Sequence, residues 1–342
     1  MEIESDKGEY HNLSMEETEH ENPKMVEVVV GILNKDCGSQ LRGCLESLLG
    51  QSFREMVVVV VDGGSTDNSI EVIKEFMKFD ERVRYFVQKG KGTGAARNEL
   101  IDYVRENFPE AKVIVWGDAE NTYKRDYLSS LLRVDGDIVG GINIIDSDSP
   151  LSQALWWYYN GVRGEAFVGN NEAVKVHLYE KYRYLPITRT EDFFFQREIS
   201  KGGVKAQKTR DAVCYIKTVE SLSDFVKWER ARAKGLWEGS TMTGTTHFLW
   251  ATYILALSIY VGYLVLAPII LALLDPSLLV PYSLTLLLFS AYMWLKGRTY
   301  VKKMRLRTIL LFIPFLLMDS IAILSTLLKL RFGSQSKEEK IP

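Results

Sequence analysis

Cysteine and histidine are scarce in this sequence, and neither residue type forms a pattern that indicates a metal or redox site. The 342 residues include three cysteines and four scattered histidines, and no CxxC pair occurs. Cys37 and Cys44 would lie two turns apart on one predicted helix, about 10 Å, which is too far for a disulfide. Cys214 is distant from both in sequence. The cysteines therefore fit a reducing compartment.

A strong excess of charge is also lacking. The formal net charge is −2, which argues against general affinity for nucleic acid. Residues 1–24 are polar, acidic and aperiodic, and we expect them to form a disordered tail. Charge is almost absent from three later segments, 247–274, 277–295 and 308–328. Each is near the length of about 20 apolar residues that crosses a bilayer, so the sequence predicts up to three membrane spans.

Basic residues orient these segments. Six lie between the second and the third segment: Lys296, Arg298, Lys302, Lys303, Arg305 and Arg307. The positive-inside rule places this loop, and with it the large N-terminal part, on the cytoplasmic side of a multi-pass cell-membrane protein. The third segment contains Asp319 and is followed by a moderately basic tail, 331–342, on the opposite side. That conflict leaves open whether this segment spans, re-enters or lies in the interface.

Strands and helices alternate in the N-terminal part. Apolar runs at 26–32, 57–61, 83–87 and 112–116 predict strands, and amphipathic stretches between them predict helices. The second run consists of five valines, which is typical of a strand buried on both faces in a parallel sheet. The expected fold is therefore α/β, with a mostly parallel, doubly wound sheet.

Carboxylates stand where three of these elements begin or end. Asp62 follows the valine run, and Asp118 and Glu120 follow the fourth strand. Ligands bind at the carboxyl ends of strands in open α/β sheets, and paired carboxylates suit a hard divalent cation. Asp192 follows Thr190, which could simply cap a helix with an acidic first turn. For Asp62, Asp118 and Glu120, the alternative is that they are incidental loop acids.

Together, the segments "DGGSTDNS", "GKGTGAARNEL", "DAE" and "TED" resemble the family 2 glycosyltransferases of the GT-A fold, over roughly residues 25–234. The resemblance implies a mixed, Rossmann-like sheet and a nucleotide-sugar donor, a UDP- or GDP-sugar. It places Asp62 at the base, with Arg97 and Asn98 on the nucleotide side.

The same resemblance puts Asp118 and Glu120 at the DxD positions, which hold Mg²⁺ or Mn²⁺ and the donor diphosphate. Asp118 would therefore belong to the nucleotide site as well. The usual second Asp of that motif is Glu here. Asp192 matches the catalytic Asp of the ED or TED motif, a general base for the acceptor hydroxyl.

Two further segments allow two interpretations each. In "GNNEAVK", Gly169, Asn170 and Asn171 would either approach the ligands or cap a helix at Glu172. The aromatic run 156–160 would either line an acceptor groove or divide between the core and the membrane interface.

Residues 221–246 predict an amphipathic interfacial helix with its linker. Membrane-bound relatives carry a (Q/R)xxRW motif there that helps hold the diphosphate and acceptor. This chain has Trp228, Arg230 and Arg232 but no Arg-Trp pair. Binding of lipid phosphates by these residues is the alternative.

The expected organisation is a tail (1–24), a GT-A domain (25–220), an interfacial helix and linker (221–246), a membrane domain (247–330) and a second tail (331–342). The expected activity is inverting transfer of a sugar to a lipid or lipid-linked hydroxyl at the cytoplasmic membrane face. One alternative is a polyprenyl-phosphate sugar synthase, whose acceptor is already an anion and needs no base. The other is a degenerate, non-catalytic membrane scaffold.

Overall fold

The computed structural model describes residues 26–161, 169–297, 300–301 and 308–338, and the side chains of these residues apart from 157–161, 309–316 and 333–338. The predicted N-terminal tail lies outside the described residues, as does most of the basic loop that follows the second apolar segment.

One eight-stranded mixed sheet forms the centre of the N-terminal part. Its strands are β1 (Val28–Asn34), β2 (Met56–Asp62), β3 (Val83–Val87), β4 (Val113–Asp118), β5 (Thr122–Tyr123), β6 (Ile138–Ile145), β7 (Glu172–Lys175) and β8 (Ala206–Ile216). Their spatial order is β3-β2-β1-β4-β7-β6-β8-β5. Strands β1 to β4 pair in parallel, whereas β7 is antiparallel to both of its neighbours. The predicted doubly wound parallel sheet is therefore confirmed for the first half and becomes mixed in the second.

Helices cover both faces of this sheet. They are α1 (Gly38–Leu49), α2 (Ser69–Phe79), α3 (Thr93–Asn107), α4 (Tyr127–Leu132), α5 (Pro150–Gly161) and α6 (Glu191–Ile199). In β2, Val58 and Val60 pack under α1 and α2, while Val59 and Val61 pack under α3. The valine run is thus buried on both faces, as predicted, because successive strand residues point to opposite sides.

The C-terminal part is helical. Its helices are α7 (Leu222–Met242), α8 (Thr246–Val261), α9 (Ala267–Leu274), α10 (Leu279–Gly297) and α11 (Thr308–Glu338). A π-helical turn at Gly262–Leu266 joins α8 to α9. The buried side of α7 packs against α8 and α11 through Ala233 and Leu236, which meet Leu249, Tyr253 and Ile323.

Two stretches of described helix are long and apolar enough to cross a membrane, Thr246–Leu274 and Pro276–Gly297. Of their most apolar windows, 0% and 11% of the residues are buried within the protein. These are the first two predicted spans. The third predicted span lies in α11, partly outside the residues whose side chains are described, and Asp319 on it is buried.

Candidate active site

The carboxyl ends of β1, β2 and β4 meet at one edge of the sheet. In the parallel register, Asn34 at the end of β1 faces Asp62, and Leu33 faces Asp118. Two of the acidic points that the sequence predicts therefore flank the end of the same strand. This edge is where open α/β sheets bind their ligands.

The Asp62 carboxylate is buried and organises its own loop. Its oxygens accept hydrogen bonds from Asn34 Nδ2 (2.7 Å), Ser65 Oγ (2.6 Å) and the backbone N–H groups of Gly64 and Ser65 (3.0 and 2.8 Å). The side chain is 1% exposed. A carboxylate with this many partners holds the loop in shape, so Asp62 shapes the predicted nucleotide edge. Its predicted contact with the base stays a prediction.

The acidic loop after β4 carries the paired carboxylates. The backbone N–H of Ala119 donates to Leu33 O (3.0 Å), which ties the loop to β1. Burial raises the pKa of the Asp118 carboxyl. Desolvation and the neighbouring charge of Asp118 raise the pKa of Glu120, which lies at the mouth of the site. The nearby Arg189 guanidinium opposes both pKa shifts.

The acidic loop offers a divalent cation two carboxylates. Within the described ranges, no group of three or more His, Cys, Asp or Glu residues could hold a metal. Mg²⁺ is commonly bound by one or two carboxylates, with substrate phosphates and waters as the other ligands. Burial and the charge of Asp118 raise the proton affinity of these carboxyl groups, and Glu120 is exposed, so the pair fits a cation that is shared with a diphosphate. Asp118 and Glu120 are the residues that would hold it.

An asparagine ladder supports Asp118 from behind. Asn171 Nδ2 donates to Asn143 Oδ1 (2.5 Å), Asn143 Nδ2 donates to Asn170 Oδ1 (3.0 Å), and the Asn170 side chain hydrogen-bonds Asp118. Each amide thereby fixes the orientation of the next, and the Asn170 nitrogen faces the carboxylate. Sequence reasoning missed Asn143. Its signal was a polar residue inside the apolar strand Ile138–Ile145.

Arg97 lies at the centre of the site. It is 3% exposed, its Nε donates to Glu191 Oε1 (2.7 Å), and its guanidinium stacks 4.7 Å from the ring centre of Trp116 and 5.3 Å from that of Tyr184. Among the residues that the structure describes, its Nη1 has no hydrogen-bond partner. Asn98 uses both amide atoms on the backbone of Tyr184, so it fastens α3 to that segment. Its predicted donor contact would require those two bonds to open.

The Asp192 carboxylate is held by two backbone N–H groups, those of Phe193 (2.9 Å) and Gly169 (3.2 Å). Desolvation and then the charge of Glu191 raise the pKa of Asp192, while the charge of Arg97 lowers it. A Cβ added to Gly169 would lie 2.7 Å from Asp192 Cβ and 3.0 Å from Arg97 Nη2. Gly169 therefore sits between the base candidate and the central guanidinium, where a side chain would not fit.

Thr190 does not cap α6 in the way its sequence position indicates. Its side chain accepts no hydrogen bond from the helix, and its hydroxyl instead donates to Arg189 O (2.5 Å). Its backbone is left-handed, with φ 67° and ψ 18°. That conformation is strained for a β-branched residue, and such strain persists only where the surroundings impose it.

Glu172 begins a strand, so the interpretation in which the residues before it cap a helix at Glu172 is wrong. The residues after Asn171 pair with β4 and β6 instead, and this pairing buries Ala173 and Val174. Glu172 itself is fully buried and accepts one hydrogen bond, from Gln196 Nε2 (3.2 Å). Burial raises the pKa of Glu172 to about 7.

The three candidates on α7 lie in different surroundings. Arg232 is buried and donates to Glu229 (3.0 Å), Asp319 (3.4 Å) and the Tyr253 hydroxyl (3.3 Å), so it joins α7 to α8 and α11. Trp228 is partly buried beside the Arg232 guanidinium, whereas Arg230 is exposed. These contacts favour a structural role for Arg232 and leave Arg230 free to meet a ligand or lipid. Of the aromatic run 156–160, Trp156 is buried, and the other side chains lie outside the described residues.

Comparison with known proteins yields one family and one fold. Residues 27–177 match the family described as "Glycosyl transferase family 2". Glycosyltransferase GlyA of Streptococcus pneumoniae serotype 4 is 28% identical over 158 residues, 45% of this chain and 22% of that protein. The putative glycosyltransferase EpsH of Bacillus subtilis is 32% identical over 112 residues, 33% of this chain and 30% of that protein. The matches support glycosyltransferase family 2. The chain spans less than a third of the length of either relative.

The mannosyltransferase PcManGT from Pyrobaculum calidifontis, solved in complex with GDP-Man and Mn²⁺, aligns over 88% of both chains. The TM-score is 0.55 at 17% sequence identity. This likeness concerns the fold and supports the predicted GT-A architecture.

Proposed function

We propose that this chain is a metal-dependent, inverting family 2 glycosyltransferase. It would move a sugar from a UDP- or GDP-sugar to the hydroxyl of a lipid or lipid-linked acceptor. The observation that carries the proposal is the placement of Asp192. Two backbone N–H groups fix its carboxylate, and the charge of the buried Arg97 acts on both Asp192 and Asp118. A base and a pair of diphosphate-side carboxylates thus share one site.

In this reaction the acceptor oxygen forms a bond to the anomeric carbon of the sugar. The bond from that carbon to the diphosphate oxygen breaks, and the nucleoside diphosphate leaves with the electron pair. The proton of the acceptor hydroxyl passes to Asp192. Burial raises the pKa of this carboxyl, which suits a group that must accept a proton near neutral pH. Attack from the face opposite the leaving group inverts the anomeric centre.

The donor diphosphate belongs at the acidic loop in this proposal. Asp118 and Glu120 would hold Mg²⁺ or Mn²⁺, which supplies positive charge to the departing diphosphate. The asparagine ladder keeps Asp118 turned toward that position. The exposed Arg189 lies close enough for its charge to act on both carboxylates, and it would meet the same phosphates.

The membrane assignment is also a proposal. The helices of Thr246–Leu274 and Pro276–Gly297 expose large apolar side chains, among them Leu255, Leu273 and Val280. Contiguous apolar surface of this extent marks a membrane or a protein interface. We place these helices in a bilayer and the catalytic domain at its cytoplasmic face, where a lipid acceptor and a soluble donor meet.

Replacement of Asp192 tests the proposed base. Asp192→Asn preserves size and can keep one of the two backbone contacts through its amide oxygen, but it cannot take the proton. We expect turnover with a hydroxyl acceptor to fall by about 100-fold or more, with the Kd of the nucleotide sugar nearly unchanged by calorimetry. The matched control is Glu198→Gln, an exposed carboxylate on the same helix that pairs with Lys201, which should transfer at the parental rate.

Parental turnover in Asp192→Asn would remove Asp192 as the base. A polyprenyl-phosphate synthase would then be the better account, because a phosphate acceptor is already ionised and needs no base. A parent that binds donor but transfers to neither a hydroxyl nor a lipid phosphate would instead favour the non-catalytic scaffold.

A further inference from the structure

Helix α7 contacts the loop that carries the proposed base. The Glu238 carboxylate on α7 accepts two hydrogen bonds from Thr188, from its backbone N–H (2.8 Å) and from its hydroxyl (3.0 Å). Thr188 is two residues before Thr190 and four before Asp192. A paired contact of this kind fixes the position and the orientation of the loop together.

Two glycines bring the backbone of α7 against the same loop. A Cβ added to Gly235 would lie 2.0 Å from Arg189 O and 3.0 Å from Thr190 Oγ1. A Cβ added to Gly239, one turn later, would lie 2.2 Å from the Phe194 ring. The absence of side chains at both positions therefore allows α7 to approach the residues on either side of Asp192.

Helix α3 holds the loop from the other side. The backbone N–H of Thr93 donates to Thr188 O (3.4 Å), and that of Gly94 donates to Ile187 O (3.3 Å). Thr190, which lies between these contacts and α6, has a left-handed backbone. Local hydrogen bonding alone would not keep a threonine in that conformation. The contacts from α3 and α7 together supply the constraint.

The far side of α7 belongs to the helical region. Ala233 and Leu236 pack on α8 and α11, and Arg232 bonds to side chains of both helices. The same helix thus touches the base loop on one face and the proposed membrane helices on the other. Among the described residues of the helical region, Glu238 on α7 is the one whose side chain hydrogen-bonds the loop 188–190.

We propose that Glu238 is a positioning residue for Asp192, which it serves by holding residues 188–190, including the left-handed Thr190, in place. The proposal rests on the proposed function, because it takes Asp192 as the base. It goes beyond that function because the catalytic geometry would depend on α7. It would therefore also depend on how the catalytic domain is attached to the helical region.

The test is Glu238→Gln in the full-length protein. The amide keeps the shape but removes the negative charge, and it can keep the Thr188 hydroxyl only by donating to it, so both charge-assisted hydrogen bonds to the loop are weakened. A shift of about 1 Å at a reacting group can cost up to about 100-fold in rate. We expect kcat for transfer to fall 10- to 100-fold, with the donor Kd and the thermal midpoint close to the parental values. The acid limb of kcat against pH should move to lower pH, because a loosened Asp192 is better hydrated.

Two controls separate positioning from stability. Lys234→Gln removes the weaker ion pair on Glu238 (3.7 Å) without touching Thr188, and it should behave as the parent. In an Asp192→Asn background, Glu238→Gln should add little further loss, since both changes act through the same carboxylate.

Three results would overturn the inference. The first is parental kcat and pH profile in Glu238→Gln. The second is a double variant whose loss of kcat equals the product of the losses caused by Glu238→Gln and Asp192→Asn alone. The third is a loss of kcat that is accompanied by a lower thermal midpoint and by an unchanged pH profile of kcat. Parental activity of Asp192→Asn itself overturns the proposed base as well, whereas an active Glu238→Gln beside an inactive Asp192→Asn overturns the positioning role alone.

Discussion

At the scale of single residues, the candidate site places four carboxyl groups around one buried guanidinium. The charge of Arg97 interacts with Asp118, Glu172, Glu191 and Asp192. The direct partner of Arg97 is Glu191, whereas burial raises the pKa of each of the other three. The single positive charge of Arg97 does not neutralise four carboxyl groups. The site therefore retains carboxyl groups that can take up a proton or would bind a divalent metal ion.

Glu172 gives a stability prediction with a definite sign. Its pKa of about 7 lies above the usual 4.5 of a glutamate. Between these two pH values the folded chain holds a proton that the unfolded chain has released, so stability falls as pH rises through this window and is constant above it. Glu172→Gln should remove that fall and stabilise the protein above pH 7 by roughly 2–3 kcal/mol.

Thermal unfolding of parent and Glu172→Gln between pH 5 and pH 8 measures this difference. The two midpoints should nearly coincide near pH 5 and diverge toward pH 8, with the variant higher. Equal midpoints throughout, or a variant that is less stable at pH 8, would show that Glu172 is ionised in the folded protein.

At the scale of elements, local pattern predicted the first half of the sheet because its strands and helices alternate in sequence and pack on their neighbours. The run "VRYFV" was predicted to its exact ends, and the valine strand to within one residue at each end. The helix that was one of two interpretations at Glu172 does not form, because this segment is β7, which pairs between β4 and β6 in the sheet. Tertiary pairing there overrides the local capping signal.

The residues of the candidate site also differ in how far local sequence pattern predicts them. The carboxylates Asp118, Glu120 and Asp192 could be found because each follows a motif of contiguous residues. Asn143 left only a weak signal, a polar residue inside an apolar strand, and Glu238 left none, because their partners Asn171 and Thr188 lie 28 and 50 residues away in sequence. Such contacts depend on how β6 and α7 pack, and a single sequence carries no local pattern for them.

The two arginines of α7 should separate when tested. Arg232 lies in a buried ionic network that joins three helices, and removal of one partner from a buried network typically costs about 3 kcal/mol or more. Arg232→Ala should therefore lower stability, measured by thermal unfolding in detergent. The exposed Arg230 should tolerate alanine within about 0.5 kcal/mol. An Arg232→Ala protein as stable as the parent would contradict the structural role and return Arg232 to the ligand candidates.

At the scale of the whole molecule, the chain combines a GT-A sheet with a helical region whose apolar helices face outward. Helix α7 joins them and reaches the base loop. In the proposed reaction the acidic loop would receive the soluble donor, and Asp192 lies on the part of the domain that α7 contacts. An acceptor that stays in the membrane would reach the base from the side of α7.

We propose that Asp118 and Glu120 bring a divalent cation to the diphosphate of a nucleotide sugar. The most direct measurement is calorimetric binding of a panel of UDP- and GDP-sugars to the full-length protein with Mn²⁺ and with EDTA, beside the rate of sugar release or transfer. We predict that one donor binds and turns over with Mn²⁺ or Mg²⁺. EDTA should abolish turnover, and Asp118→Asn should be nearly inactive while its thermal midpoint is unchanged. Glu120→Asp should remain active. Full turnover in EDTA, or in a folded Asp118→Asn protein, would contradict the account.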